Sequence, residues 1–148
     1  MPLEYSLSRA DYFYWTTIST RWSDNDQLGH VNNVLYFRYF EAAVVAMLIE
    51  EAQLDWRRDP LIPYAVDVRC QFRQPLTFPE VVEAGLNVAR LGTTSVTYGL
   101  ALFARNDSDP AAVGHFVHVY VERQSESPVA IPDPIRAVYQ RYYRPEPV

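Results

Sequence analysis

A single cysteine, Cys70, stands in the 148 residues of this chain. That excludes an internal disulfide framework and every CxxC zinc or redox motif, and it suits a reducing compartment. Glycine is scarce as well. The five glycines, at positions 29, 85, 92, 99 and 114, form neither a GxGxxG nor a GxxxxGK[ST] run, so both glycine-rich phosphate cradles are missing. No GxSxG elbow is present to activate a serine. The longest uninterrupted apolar run, Ala42 to Ile49, falls far short of the roughly 18 residues that a membrane-spanning helix needs. Residues 1–15 carry Glu4, Arg9 and Asp11 and no apolar stretch of the kind that drives secretion. We therefore expect a cytoplasmic protein without a membrane span. Positive charge is also in deficit: a net charge of -5 removes the counterion release that drives nucleic-acid binding, and no nucleic-acid partner is expected.

What the chain does have is core material. Hydrophobic residues make up 49% and charged residues 21%, enough for one folded domain over residues 1–148, with a proline-rich tail from about 128. From Asp11 to Trp22 aromatic and β-branched residues predominate, which predicts a strand. Residues 23–33 have a loop composition that ends in Asn32 and Asn33, either of which is placed to cap a helix. Val34 to Leu54 contains no glycine or proline and is apolar nearly all round, which predicts a helix buried on every face. Tyr64, Val66, Val68, Cys70 and Phe72 then alternate with polar or small residues in period two. Three more strands follow: one over Val82 to Ala89, with a turn at Leu91 to Thr94, then Ser95 to Arg105 and Val113 to Glu122. A short helix is expected near Ile135 to Tyr142. The order β-α-β-β-β-β predicts an α+β domain, an antiparallel sheet packed on one long helix.

The chemistry concentrates in residues 21–43. Asp24 and Asp26 lie two apart in the loop that feeds the helix. A carboxylate beside a helix N-terminus, whose unpaired N–H groups and positive dipole end hold oxyanions, suits acyl transfer. The same pair also suits simple loop bracing. His115 and His118 sit three apart on a strand and so face opposite ways, which rules out joint chelation of one ion; no metal is expected.

The segment as a whole resembles the hotdog-fold acyl-CoA thioesterases of the 4-hydroxybenzoyl-CoA thioesterase type, whose signature is close to R-x-x-D-x-D-x-x-G-H-V-N-N-x-x-Y-x-x-Y-x-E. Arg21, Asp24, Asp26, Gly29, His30, Val31, Asn32, Asn33, Tyr36, Tyr39 and Glu41 stand in the matching places. The likeness continues through Phe72-Arg73-Gln74-Pro75, Arg90 to Ser95 and Val119 to Arg123, and covers about residues 12 to 135.

The resemblance implies a five-stranded antiparallel sheet, in strand order 1-3-4-5-2, wrapped around one long buried helix. It implies hydrolysis of an acyl-CoA or acyl-carrier thioester, with Asp26 as nucleophile or general base and Asp24 supporting the loop. Oxyanion binding and substrate positioning fall to Gly29, His30, Val31, Asn32, Asn33 and Val34, and the substrate pocket to Tyr36, Tyr39 and Tyr64. Arg73, Arg90, Ser95 and Arg123 are the candidates for CoA contact. Coenzyme A is part of the substrate, so no cofactor is implied. The strand from Tyr64 to Phe72 falls at a sheet edge, which implies a homodimer or homotetramer whose site joins the Asp26 loop of one subunit to residues 64–71 of the other.

Glu41 is the competing carboxylate, because another hotdog branch uses a helix glutamate; that branch's histidine-glycine-glycine lead is missing here. Arg38, three residues before it, is expected to pair with Glu41. Two other functions fit the same fold: a non-catalytic acyl-binding or assembly protein, and a dehydratase or hydratase acting on acyl thioesters, for which His30 and Glu41 are the available pair.

Overall fold

The computed structural model describes residues 8–145. Its elements are β1 (Tyr14–Ser19), α1 (Asn33–Ala52), β2 (Leu61–Phe72), β3 (Val81–Leu91), β4 (Ser95–Ala104), β5 (Ala112–Glu122) and α2 (Asp133–Arg141). The five strands form one antiparallel sheet in the order β1-β3-β4-β5-β2, and α1 packs on one face of it. This is the hotdog arrangement that the resemblance implied.

Alternation builds the core. Val82, Ala84, Leu86 and Val88 of β3, and Val96, Tyr98, Leu100 and Leu102 of β4, point at the helix and are buried. Tyr36, Tyr39, Phe40, Ala43, Val44, Met47 and Leu48 of α1 meet them. Burial of a side chain the size of Phe40, Met47 or Leu48 contributes about 1.5–3 kcal/mol.

Three expectations need correction. The first strand is shorter than Asp11 to Trp22, because carboxylates close 3-10 turns on both sides of it: Asp11 accepts from the Ser8 N–H (2.7 Å) and Asp24 from the Arg21 N–H (2.9 Å). The helix is not buried on every face. Its apolar composition runs all round, but a sheet covers only one side, and Val34, Phe37, Arg38, Glu41, Ala42 and Ile49 are exposed in the single chain. Arg38 and Glu41 stand on that exposed face, and no ion pair joins them among the described residues. A pair in water gains too little to fix two long side chains. The helix ends at Ala52, where Gln53 turns left-handed (φ 50) and the Leu54 N–H returns to the Leu48 carbonyl (3.0 Å).

The third correction concerns β2, which is an edge strand with a bulge. Ala65 pairs with His118 and Asp67 with Val117, so Val66 is the extra residue and period two breaks there. Phe72, Val68 and Cys70 share the inner face with Ala112, Phe116 and Gly114; past the bulge Ala65 faces inward and Tyr64, opposite Val119, faces outward. At Gly114 a Cβ would overlap the Arg69 carbonyl oxygen of β2, so only glycine lets the two strands approach this closely.

The tail from 128 is not a loose end over its described part. Val129 and Ile131 donate to the carbonyls of Tyr120 and Thr93 (both 2.9 Å), α2 follows, and Tyr143 pairs in parallel with Val88 where β1 has run out. Residues 146–148 of that tail lie outside the described residues.

One polar row crosses the core. Tyr120 Oη meets Tyr139 Oη (2.7 Å), Tyr139 meets Tyr98 (2.7 Å), and Tyr98 meets His118 Nδ1 (3.1 Å). Burial pushes the His118 imidazole down to about 4, from an ordinary 6.5. Between those two values the unfolded chain binds a proton that the folded chain does not, so this residue makes stability fall as pH drops from about 6.5 to about 4. The expected size is roughly 3 kcal/mol over that window. Denaturant titrations between pH 4 and 7 check it: the slope with pH should flatten in His118→Phe, and an unchanged slope would contradict the assignment.

Candidate active site

The residues 24–31 loop is built from backbone bonds that leave one carboxylate outside. Asp24 turns inward and is 1% exposed. It accepts from the Arg21 N–H (2.9 Å), Arg21 Nε (3.1 Å) and Tyr39 Oη (2.8 Å), and forms an ion pair with Arg21 (3.0 Å). Burial alone would raise its pKa, but the hydrogen bonds from Arg21 and Tyr39 outweigh it and hold the carboxyl below the usual carboxylate value. Burial, together with the hydrogen bond it donates to Asp24 and that carboxylate's negative charge, pushes the Tyr39 hydroxyl upward, so Tyr39 remains a donor. Tyr39 is therefore a strut between α1 and the loop, its polar end spent on Asp24.

Asp26 turns outward and is exposed. Its Oδ1 accepts from the Leu28 N–H (2.9 Å), its own N–H donates to the His30 carbonyl (2.9 Å), and its carbonyl accepts from the Gly29 N–H (3.1 Å). Gly29 sits at φ +82 with open space where a Cβ would go, so the backbone angle and not crowding demands glycine there. The loop is fastened to residues 76–78: Thr77 Oγ1 donates to the Gly29 carbonyl (2.7 Å), the Val31 N–H to the Leu76 carbonyl (2.7 Å), and the Phe78 N–H to Asn25 Oδ1 (3.0 Å). Nothing in the sequence pointed to Asn25, Leu76 or Thr77; the pairing joins segments about fifty residues apart and leaves no local pattern.

Helix α1 starts against this loop. Asn32 is the cap, its Oδ1 accepting from the Val34 N–H (3.0 Å). Among the amides from Gly29 to Val34, four are occupied: Gly29 by Asp26, Val31 by Leu76, Asn32 by Asp24 and Val34 by Asn32. The N–H groups of His30 and Asn33 find no acceptor among the described residues. His30, Val31, Asn33, Tyr36, Phe72, Arg73, Gln74 and Pro75 line a cleft of about 250 Å³. The Asp26 side chain is not itself part of that lining; its amide is bonded to His30, which is.

The other expected site residues separate. Tyr36 is buried with its ring against Phe72, and its hydroxyl accepts from the Leu76 N–H (3.1 Å), so it offers the cleft an aromatic wall. Tyr64 lies beyond the bulge on the outer face, near Glu126 (3.4 Å), and not with the Asp26 loop of its own chain. Of the four residues considered for CoA contact only Arg73 reaches the cleft. Arg123 donates to the carbonyls of Asp59 (2.9 Å) and Trp56 (2.5 Å) and so braces the connection into β2. Arg90 lines a depression of about 460 Å³ on the outer face with Arg69 and His115, and Ser95, opposite Val119, shares that face. His118 faces inward and His115 outward, as their spacing required. Burial pushes the Cys70 thiol up to about 12, which keeps it protonated at neutral pH and removes it as a nucleophile.

The family model described as the thioesterase-like superfamily matches residues 20–138. The chain is similar to the PA5185 protein from Pseudomonas aeruginosa strain PAO1, with 46% identity over 92% of this chain and 95% of that one, TM-score 0.90. It is also similar to the PA2801 protein from Pseudomonas aeruginosa, with 32% identity over 85% and 97% of the two chains, TM-score 0.80. A thioesterase from Thermus thermophilus, complexed with coenzyme A and Zn, shares the fold at 24% identity over 86% and 92% of the two chains, TM-score 0.73.

Proposed function

The chain belongs to the thioesterase-like superfamily, and from that premise we propose that it hydrolyses an acyl-CoA or acyl-pantetheine thioester to a carboxylic acid and a thiol, with Asp26 as the reacting carboxylate. The observation that carries this reading is the pairing of an exposed carboxylate with two unclaimed amide donors, His30 and Asn33, at the start of α1. A thioester needs little more. The carbonyl oxygen becomes an oxyanion in the transition state, and donors already fixed in place stabilise it without reorganisation. As general base, Asp26 takes a proton from water while the water oxygen bonds to the carbonyl carbon; the tetrahedral intermediate then expels the thiolate. As nucleophile, Asp26 bonds to that carbon itself, the C–S bond breaks and the thiolate leaves, and water then hydrolyses the resulting anhydride to the free acid and the restored Asp26 carboxylate. The leaving thiol has an ordinary pKa near 8.5, so no strong acid is required to drive it out.

Coenzyme A accompanies the Thermus thioesterase of the same fold, which supports it as the thiol half. Arg73 at the cleft is the cation we assign to the phosphate end. The two-subunit site also belongs to this reading. β2 is an edge strand with Tyr64, Val66 and Phe72 exposed, and a long uncovered edge invites a second copy. Sedimentation at micromolar concentration should give a dimer or tetramer, and a monomer that still turns over would contradict the shared site. The activity itself is tested by thiol release from acyl-CoAs that differ in chain length and aromaticity; no release from any of them would sink it.

A further inference from the structure

The row of hydroxyls ending at His118 has a direction, and the direction follows from counting hydrogens. Tyr98, Tyr120 and Tyr139 are fully buried, and three contacts link Tyr120, Tyr139, Tyr98 and His118 Nδ1 in series. If Nδ1 accepts, Tyr98 must donate to it, Tyr139 to Tyr98 and Tyr120 to Tyr139, and every hydroxyl hydrogen is used. If Nδ1 carries the proton and donates, one of the three hydroxyls is left with a buried hydrogen and no acceptor, which folding penalises. The first arrangement wins. It fixes the neutral imidazole with its hydrogen on Nε2, and burial keeps the ring neutral at physiological pH.

That second nitrogen is not sealed in. Among the described residues no buried side-chain nitrogen or oxygen lacks a partner, and Nε2 has none, so the 5% exposure His118 retains includes Nε2. His118 lies opposite Ala65 of β2 on one side and Val96 of β4 on the other, with the Phe116 ring 4.9 Å away. A polar donor thus opens through an apolar strip, on the same sheet face as Val68, Cys70 and Phe72.

We propose that His118 presents its Nε2–H at the far end of the acyl pocket and selects acyl groups that carry an oxygen acceptor on their distal carbon. The inference rests on the thioesterase reading and on β2 pairing with a second copy about a two-fold axis. Within one chain Ala65 lies seven residues from Phe72, about 23 Å along the strand, too far from the cleft for an acyl group. On that premise, antiparallel pairing over the whole of Leu61–Phe72 would set the partner subunit's Ala65 beside Val68, about 13 Å from Phe72 along the strand, with the partner's His118 one strand, about 5 Å, beyond it. The partner's His118 then closes the strip that starts at the cleft. A plain alkyl end would leave that donor unmatched, and a hydroxyl or keto oxygen would meet it.

The test uses the whole enzyme on a matched pair, octanoyl-CoA and 8-hydroxyoctanoyl-CoA, with nitrogen NMR of His118 alongside. The wild type should favour the hydroxylated substrate by roughly tenfold in kcat/KM, the worth of one hydrogen bond made to an otherwise unpaired donor. His118→Phe should abolish the preference, and Tyr98→Phe, which keeps the ring and removes the hydroxyl that orients it, should reduce it. The NMR spectrum of the wild type should report hydrogen on Nε2 and none on Nδ1, whether or not the variants fold. A hydrogen on Nδ1, or equal kcat/KM for the two substrates in the wild type, would overturn the inference while leaving thioester hydrolysis intact. Absence of turnover on either substrate and on every other acyl-CoA would instead overturn the thioesterase reading, and this inference with it.

Discussion

Asp26→Asn should lower kcat on a good acyl-CoA substrate by roughly 10² to 10⁴-fold, with KM changed far less. Asparagine keeps the shape, and its Oδ1 can still accept from the Leu28 N–H, a bond of 2.9 Å that closes the turn. What disappears is the anionic oxygen that must bond to carbon or take a proton from water. That interaction belongs to the transition state, so its loss falls on kcat. Because Asp26 is exposed and holds no buried partner, the variant should also melt within a degree or two of the wild type. Steady-state kinetics with a melting curve on the same sample separates the two effects. Label found in the Asp26 carboxylate after a single turnover in ¹⁸O-water would show that this carboxylate attacks.

Asp24→Asn should show the reverse: a loss of stability, with activity kept within about tenfold. The buried carboxylate is surrounded by donors, from the Arg21 amide and guanidinium and from Tyr39 (2.8–3.1 Å). An amide offers one acceptor oxygen and turns its own N–H₂ toward groups that are themselves donors. The Arg21 side chain is 58% exposed, and water therefore screens much of the ion pair, so we expect about 2–4 kcal/mol and not more. For a chain of this size that is a fall of about 10 °C in Tm. Tyr39→Phe removes one donor and leaves the charge, so about 1 kcal/mol should be lost. The acidity shift adds a pH signature. Because the folded Asp24 carboxyl is held below its ordinary value of 3.8, its contribution is complete above that pH and is lost as pH falls through the lower folded value. The asparagine variant should lack this last acid step. Equal melting of Asp24→Asn and wild type across pH 3 to 7 would contradict the supporting role.

The division of labour between these two aspartates was legible only in part. The DxD spacing and the neighbouring helix start could be read from the residues, and so could the Asn32 cap; which carboxylate turns inward could not. That depends on Tyr39, fifteen residues away, which the resemblance placed in the substrate pocket and whose hydroxyl reaches Asp24. The strand alternation was plain in β3 and β4, where every inward residue except Tyr98, with its hydroxyl, is apolar. It misled in β2, because the bulge at Val66 carries no glycine or other local marker and reverses the side on which Tyr64 falls. The exposed stripe on α1 was hidden for a related reason: composition reports that a helix is apolar all round, not which neighbour covers each face. The tyrosine row to His118 joins three elements and leaves no local pattern.

One measurement bears on the central claim most directly: thiol release from a single acyl-CoA by the wild type, Asp26→Asn and Glu41→Gln, purified and assayed side by side. Both carboxylates are exposed, and only Asp26 lies in the loop whose His30 and Val31 line the cleft with its unclaimed amides. Steady release by the wild type, its near-complete loss in Asp26→Asn and substantial retention in Glu41→Gln is the predicted result. Near wild-type release by Asp26→Asn together with loss in Glu41→Gln would contradict it and transfer the chemistry to the helix.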